Sequence, residues 1–153
     1  MLTQGDTMPN VTVEDDAGKR VATKDLLGGS LLLYFYPKDD TPGCTNEASQ
    51  FRDLLARFKR KKVRIVGVSR DSVASHQKFK KKYALPFELL SDVESKLCDA
   101  FGVIVEKSNY GKTYMGIARS TFLIDAKGTI VKVWPKVTAD GHAEEVLAYL
   151  SQE

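Results

Sequence analysis

The sequence predicts an α/β fold: a central mixed β-sheet flanked by helices, with a small β-hairpin ahead of it. Three observations lead there. A buried-strand pattern followed by an amphipathic-helix pattern occurs twice, at 31–58 and 63–83. Two β-rich runs then flank a tight turn at 125–128, and an apolar-periodic segment closes the chain at 141–150. Strand–helix alternation followed by a hairpin and a last helix calls for a mixed sheet with helices on both faces.

The elements follow in order. VTVEDDAGKRV, at 11–21, has the form of a hairpin turning at Asp16-Ala17-Gly18. LLLYFY, at 31–36, is a short aromatic and aliphatic run bounded by Gly28-Gly29-Ser30 and Pro37, which suits a strand buried on both faces. Beyond it, Ala48, Phe51, Leu54, Leu55 and Phe58 recur at helical spacing among Arg52, Asp53 and Arg57. VRIVGVS, at 63–69, is a second buried strand, and Asp71-Ser72 can cap a helix running to about Tyr83. A short strand is expected at 87–90 and a helix over DVESKLCDAF, 92–101, with Val93, Leu97, Ala100 and Phe101 on its inner side. RSTFLIDAKGTIVKVW, at 119–134, is a hairpin around Asp125-Ala126-Lys127-Gly128. The last helix turns Ala143, Val146, Leu147 and Leu150 inward. This order of elements is thioredoxin-like.

Length and composition set limits on function. A chain of 153 residues, 42% hydrophobic and 28% charged, fits one globular domain over 1–153. MLTQGDTMPN has neither a basic n-region nor an apolar h-region, and no run approaches the roughly 18 apolar residues of a membrane span. A soluble, cytoplasmic protein is therefore expected. Cys44 and Cys98 are too few for a disulfide scaffold and lack zinc-ligand spacing, so no metal is expected. The formal net charge is +3, and the basic residues gather in RFKRKKVR and KFKKK. Each run falls at an expected helix C-terminus, where cations complement the dipole. Without interleaved stacking aromatics, neither suggests nucleic acid.

The chemistry concentrates in FYPKDDTPGCTNEASQF, at 35–51. Thr41 is a favoured N-cap type and Pro42 suits the first helical position, which puts Cys44 in the first turn. Unpaired backbone N–H groups and the positive end of the dipole favour a thiolate there. A free cysteine in isolation is more often buried packing than a nucleophile. Its neighbours alter that balance: Pro37, Thr41 and Cys44 stand in the spacing PxxxTxxC, with Glu47 one turn on.

This stretch resembles the active-site motif of the peroxiredoxins, and YFYPKDDTPGCTNEASQFRD resembles their bacterioferritin comigratory protein, or Q-type, subgroup. The resemblance runs from about Gly5 to Leu150. It implies that Cys44 is the peroxidatic cysteine, attacking a hydroperoxide and becoming a sulfenic acid. It implies that Thr41 orients thiolate and peroxide through its hydroxyl, and that Pro37, Pro42 and Gly43 shape the pocket. Arg119, in ARSTF, matches the guanidinium that favours the thiolate and polarises the breaking O–O bond. Glu47 matches a residue that holds the arginine, although a first-turn carboxylate also suits the helix dipole in its own right. No cofactor is implied, and the subgroup leans toward monomers.

Two positions depart from the subgroup. Its resolving cysteine commonly stands five residues after the peroxidatic one, where this chain has Ser49; an alternative place corresponds to Phe79-Lys80-Lys81, which also has no cysteine. Only Cys98 remains, expected to be partly covered in its helix and open to either a packing or a resolving role. With both positions empty, the expected route is a one-cysteine cycle in which an external thiol, from glutaredoxin with glutathione or from thioredoxin, attacks the sulfenic acid directly, and a two-cysteine cycle resolved by Cys98 is the alternative. A disulfide reductase would need CxxC where the chain has CTNE, and a Cys/His hydrolase would need His76 or His142 as base, both in ordinary helical segments. A peroxide sensor or holdase using the same cysteine remains the non-enzymatic alternative.

Overall fold

The computed structural model describes residues 1–152. Strands β1 (Thr12–Asp15) and β2 (Arg20–Ala22) form the N-terminal hairpin, closed where Asp15 Oδ1 accepts from the Ala17 and Lys19 N–H groups. A single 3-10 turn, Thr23–Leu26, leads to β3 (Ser30–Phe35). Two strand–helix units follow: β3 with α1 (Pro42–Arg60), and β4 (Val63–Ser69) with α2 (Val73–Tyr83). Next come β5 (Glu88–Ser91), α3 (Lys96–Phe101), and a separate hairpin of β6 (Ile104–Asn109) and β7 (Lys112–Ile117). The chain ends with β8 (Ser120–Ile124), β9 (Ile130–Trp134) and α4 (His142–Ser151).

Seven strands make one sheet in the order β2-β1-β5-β4-β3-β8-β9. Strands β3, β4 and β5 are parallel, and β1, β8 and their outer partners run antiparallel to their neighbours. This is the thioredoxin-like mixed sheet that the element order predicts. Because successive side chains of a strand point to opposite faces, β3 divides the core in two. Leu32, Tyr34 and Tyr36 pack with Phe51 and Phe58 of α1, Phe79 of α2 and Val146 and Leu147 of α4. Leu31, Leu33 and Phe35 pack with Leu97 and Phe101 of α3 and with Phe122 of β8. Gly67 of β4 lets its neighbours close in: a Cβ would stand 2.8 Å from Leu89 Cδ2 and 3.0 Å from the Tyr34 hydroxyl, so those side chains would have to shift.

The two basic runs lie at helix ends as expected, with Arg57, Lys59 and Arg60 in the last turn of α1 and Lys80, Lys81 and Lys82 in that of α2. Ser72 caps α2, its Oγ accepting from the Ser75 N–H at 3.1 Å.

Three features depart from the sequence expectation. The helix over 92–101 is shorter, beginning at Lys96 because Ser95 takes a left-handed conformation (φ 63). Asp92, expected inside it, instead caps it, accepting from the Leu97 and Cys98 N–H groups, and Val93 is 62% exposed rather than inward. Cys98 is fully buried, not partly covered. The β6–β7 hairpin was not expected; its burial is low, and Tyr110 at its tip is exposed. No helix among the described residues is long and apolar enough to cross a membrane.

Phe101 packs against Phe35 at a tilt and meets Phe122 edge to face inside the second core cluster. Phe101→Ala is expected to cost about 3–5 kcal/mol in urea unfolding. Ser72→Ala, which removes one cap, should cost about 1 kcal/mol in the same measurement.

Candidate active site

The site forms where β3 hands the chain to α1, at the C-terminal edge of the parallel strands, where open α/β sheets present ligands. The Tyr36 N–H still bonds the Val68 carbonyl, so the strand geometry persists to the edge of the loop. Asp39 then anchors the turn from inside. Its Oδ1 accepts from the Tyr36 hydroxyl at 2.6 Å, and its Oδ2 lies 2.8 Å from Ser75 Oγ and 2.6 Å from His76 Nδ1, both on α2. Asp40 is left-handed (φ 56), with its carboxylate held by Lys82 and Tyr83. Thr41 is extended and Pro42 opens the helix.

Cys44 is the third residue of α1 and only 2% exposed. Glu47 follows three residues later and so shares its helix face. Between them reaches the side chain of Arg119, from the turn between β7 and β8. Its Nη2 donates to Cys44 Sγ at 3.3 Å and its Nη1 to Glu47 Oε1 at 2.7 Å. The backbone at this position is fixed, since the Arg119 carbonyl accepts from the Val137 N–H. Gly43 leaves the guanidinium room: a Cβ there would stand 3.2 Å from Nη2. The sulfur thus sits in the first turn of α1 with a guanidinium N–H directed at it.

Burial pushes the Glu47 carboxyl up to about 7, with Arg119 pulling against that rise. Its second oxygen, Oε2, and the Tyr34 hydroxyl are buried without a hydrogen-bond partner among the described residues. Burial first, and Glu47 second, hold the Tyr34 hydroxyl well above its ordinary value. Lys107 of β6 is a further cation facing the site. Partial burial pushes its ammonium down, Arg119 adds to that, and Cys44 opposes it.

Most of the expected residues converge. Cys44, Arg119 and Glu47 are in direct contact, Gly43 lines the approach of the guanidinium, and Pro37 and Pro42 flank the loop. Thr41 occupies the N-cap position but does not cap the helix through its side chain; its hydroxyl donates to the Lys38 carbonyl at 2.8 Å. Cys98 stands apart. It belongs to the core cluster on the opposite face of the sheet from Cys44, and burial followed by the Asp92 carboxylate holds its thiol well above the ordinary range. Neither histidine touches Cys44. His76 bonds Asp39 and the Leu90 carbonyl, while His142 lies between Thr121 Oγ1 and Glu145. Sequence reasoning missed Asp39 as the anchor of the loop and Lys107 as a neighbouring cation, since no local pattern pairs 39 with 75 and 76 or brings 107 near 44.

Comparison with known proteins shows the family. Residues 4–133 match the model of the AhpC/TSA family. A putative peroxiredoxin bcp of Coxiella burnetii is 51% identical over 146 residues, covering 95% of this chain and 97% of that protein. Peroxiredoxin Bcp of Bacillus subtilis is 49% identical over 146 residues, covering 95% and 93%. A solved structure of the Xanthomonas campestris bacterioferritin comigratory protein, described for its alkyl peroxide reduction activity, superposes with a TM-score of 0.87 at 45% identity, covering 93% of this chain and 90% of that one.

The Glu47 carboxyl sits near 7 in the folded protein against 4.5 for the ordinary group, so folding favours its protonated form. That contribution is fully present below about pH 4.5 and is lost as pH rises through about 7, a change on the order of 3 kcal/mol. Glu47→Gln, which stays neutral, should flatten that decline when unfolding free energies are compared at pH 4.5 and 7.5.

Proposed function

The chain belongs to the AhpC/TSA family, in its bacterioferritin comigratory (Q-type) group of peroxiredoxins, and we propose that it reduces hydroperoxides by a one-cysteine cycle through Cys44. Thiol peroxidase activity follows from the family. The cycle, its residues and its reductant are the proposal, and the observation that carries it is the Arg119 N–H directed onto Cys44 Sγ at 3.3 Å.

In the first step the Cys44 thiolate attacks the terminal oxygen of ROOH. An S–O bond forms as the O–O bond breaks, sulfur loses two electrons, and the leaving oxygen takes a proton and departs as an alcohol, or as water from hydrogen peroxide. Arg119 is suited to this task because its fixed fork offers one N–H to the sulfur while Glu47 holds the other arm. Oxygens bound beside the sulfur would share that donor as charge moves onto the leaving oxygen. Thr41 borders the same opening, with Pro37 and Pro42 limiting water.

Resolution of the sulfenic acid falls to an external thiol. A disulfide needs Cα atoms within about 7 Å, and Cys44 and Cys98 lie on opposite faces of a continuous sheet. The Cys98 thiol is also held in its protonated, unreactive form by burial and by Asp92. Glutaredoxin with glutathione, or thioredoxin, supplies the reducing equivalents in this scheme, and the protein works as a monomer. The substrates are hydrogen peroxide and organic hydroperoxides, the latter supported by the alkyl peroxide reduction described for the Xanthomonas campestris relative.

Peroxide consumption with each reducing system separately, by wild type, Cys44→Ser and Cys98→Ser, tests the scheme. Cys44→Ser should be inactive and Cys98→Ser should retain wild-type turnover. Arg119→Met should lower the rate of Cys44 oxidation by on the order of a hundredfold. An intramolecular Cys44–Cys98 disulfide appearing at the turnover rate in mass spectra of peroxide-treated protein would overturn the one-cysteine cycle.

A further inference from the structure

A cavity of about 530 Å³ opens at the other end of the sheet, where β3 and β4 begin. It is remote from the catalytic loop. The six residues of β3 span roughly 20 Å at about 3.3 Å each, and the cavity borders Ser30 whereas the catalytic loop starts beyond Phe35. Its volume falls within the range of small-molecule sites.

The lining has a definite polarity. Leu26, Ile65 and Phe87, all buried, and half-buried Leu55 make an apolar floor. Three cations and one carboxylate stand around it: Lys59, Lys62, Arg64 and Glu88. Glu88 is already bound to the Arg64 guanidinium, which also donates to the Leu26 carbonyl. Lys59 and Lys62 are exposed and form no ion pair among the described residues. The occupant this combination suits has an apolar body against the floor and one negative charge at the lysines. A glycine pair completes the wall. Gly28 faces open space, with nothing within 4 Å of a Cβ placed there, and its backbone is not in the left-handed region.

We propose that this cavity binds a free medium-chain carboxylate, its chain lying on Leu26, Leu55, Ile65 and Phe87 and its head group at Lys59 and Lys62. Burying the chain supplies the affinity at roughly 25 cal/mol per Å² of apolar surface removed from water. The lysines orient the ligand and make binding salt-dependent, since they act from the rim. The ligand would rest on the last two turns of α1, whose first turn carries Cys44, about 22 Å away along a helix rising 1.5 Å per residue.

Isothermal titration of the full chain with dodecanoate below its micellar concentration tests this. Saturable one-to-one binding is expected, weakening as sodium chloride is raised and weaker for dodecanol, which lacks the charge. The exposed pair Lys59→Glu and Lys62→Glu together should weaken dodecanoate binding about tenfold or more, on the scale of reversing two rim charges. Gly28→Phe, which adds a ring at a lining position where a Cβ meets nothing within 4 Å and the backbone is not left-handed, should abolish it. Both variants should keep wild-type peroxide consumption, which also shows that they fold. Absence of saturable binding to wild type would overturn the proposal, as would binding indifferent to both sets of substitutions. Dodecanoate binding lost on oxidation of Cys44 would place the ligand at the catalytic pocket instead. Co-sedimentation with phosphatidylglycerol vesicles without titratable dodecanoate binding would assign the lysines to a membrane surface, again against the proposal.

Discussion

The guanidinium of Arg119 joins two parts of the chain that have no local reason to meet, and the site depends on that junction. It lies 75 residues beyond Cys44 and reaches it because β8 pairs directly beside β3, the strand that delivers α1. A largely buried guanidinium is costly unless its donors find acceptors. Here one arm finds the Glu47 carboxylate and the other the sulfur. Those two acceptors share a single cation, so their charges are antagonistic. Burial drives Glu47 toward its neutral form, and to that extent leaves the field of Arg119 to the sulfur. Glu47 thus positions the arginine by a hydrogen bond without fully neutralising it.

The division of the core by β3 decides what each cysteine can do. Cys44 packs with the residues under α1, α2 and α4, and Cys98 with those under α3. Both are buried, so burial alone does not separate a nucleophile from packing. Their polar neighbours do. Cys44 has a cation at its sulfur, while Cys98 has the Asp92 carboxylate close by, and a nearby anion opposes ionisation. The two thiols differ in their polar surroundings, a guanidinium at one and a carboxylate at the other, and at Cys98 burial comes first and the carboxylate second in holding the thiol up.

Much of this was legible in the sequence, for reasons that differ by element. VRIVGVS stood out because a run of buried β-branched residues has few alternatives, and the Ser72 cap marked the next helix to within a residue. The helix over 92–101 was overdrawn because Val93 fits the apolar stripe in one dimension, whereas a left-handed Ser95 and the Asp92 cap delay its start. The β6–β7 hairpin carries little signal, as its strands face solvent over most of their length without apolar alternation, and its turn is Tyr110-Gly111. The helix-terminal placement of Cys44 could be reasoned from Thr-Pro-Gly-Cys alone. The contact with Arg119 could not, because it is a property of strand order, and family resemblance supplied it.

The loop carrying Cys44 is clamped from α2 to a degree that bears on the catalytic cycle. Asp39 is held by Ser75 and His76, and Asp40 by Lys82 and Tyr83, so the loop and both ends of α2 are tied together. Disulfide formation with a thiol elsewhere in the fold would require this arrangement to open, since the sulfurs must come within bonding distance. With Ser49 in α1, no cysteine in α2, and Cys98 behind the sheet, no internal partner is available to repay that opening. Attack by an external thiol needs no second sulfur from within the fold, but with Cys44 only 2% exposed it too requires the loop to open enough to admit that thiol. The clamp thus holds the loop in a chain that places no second thiol in the loop itself or in the helix that ties it down.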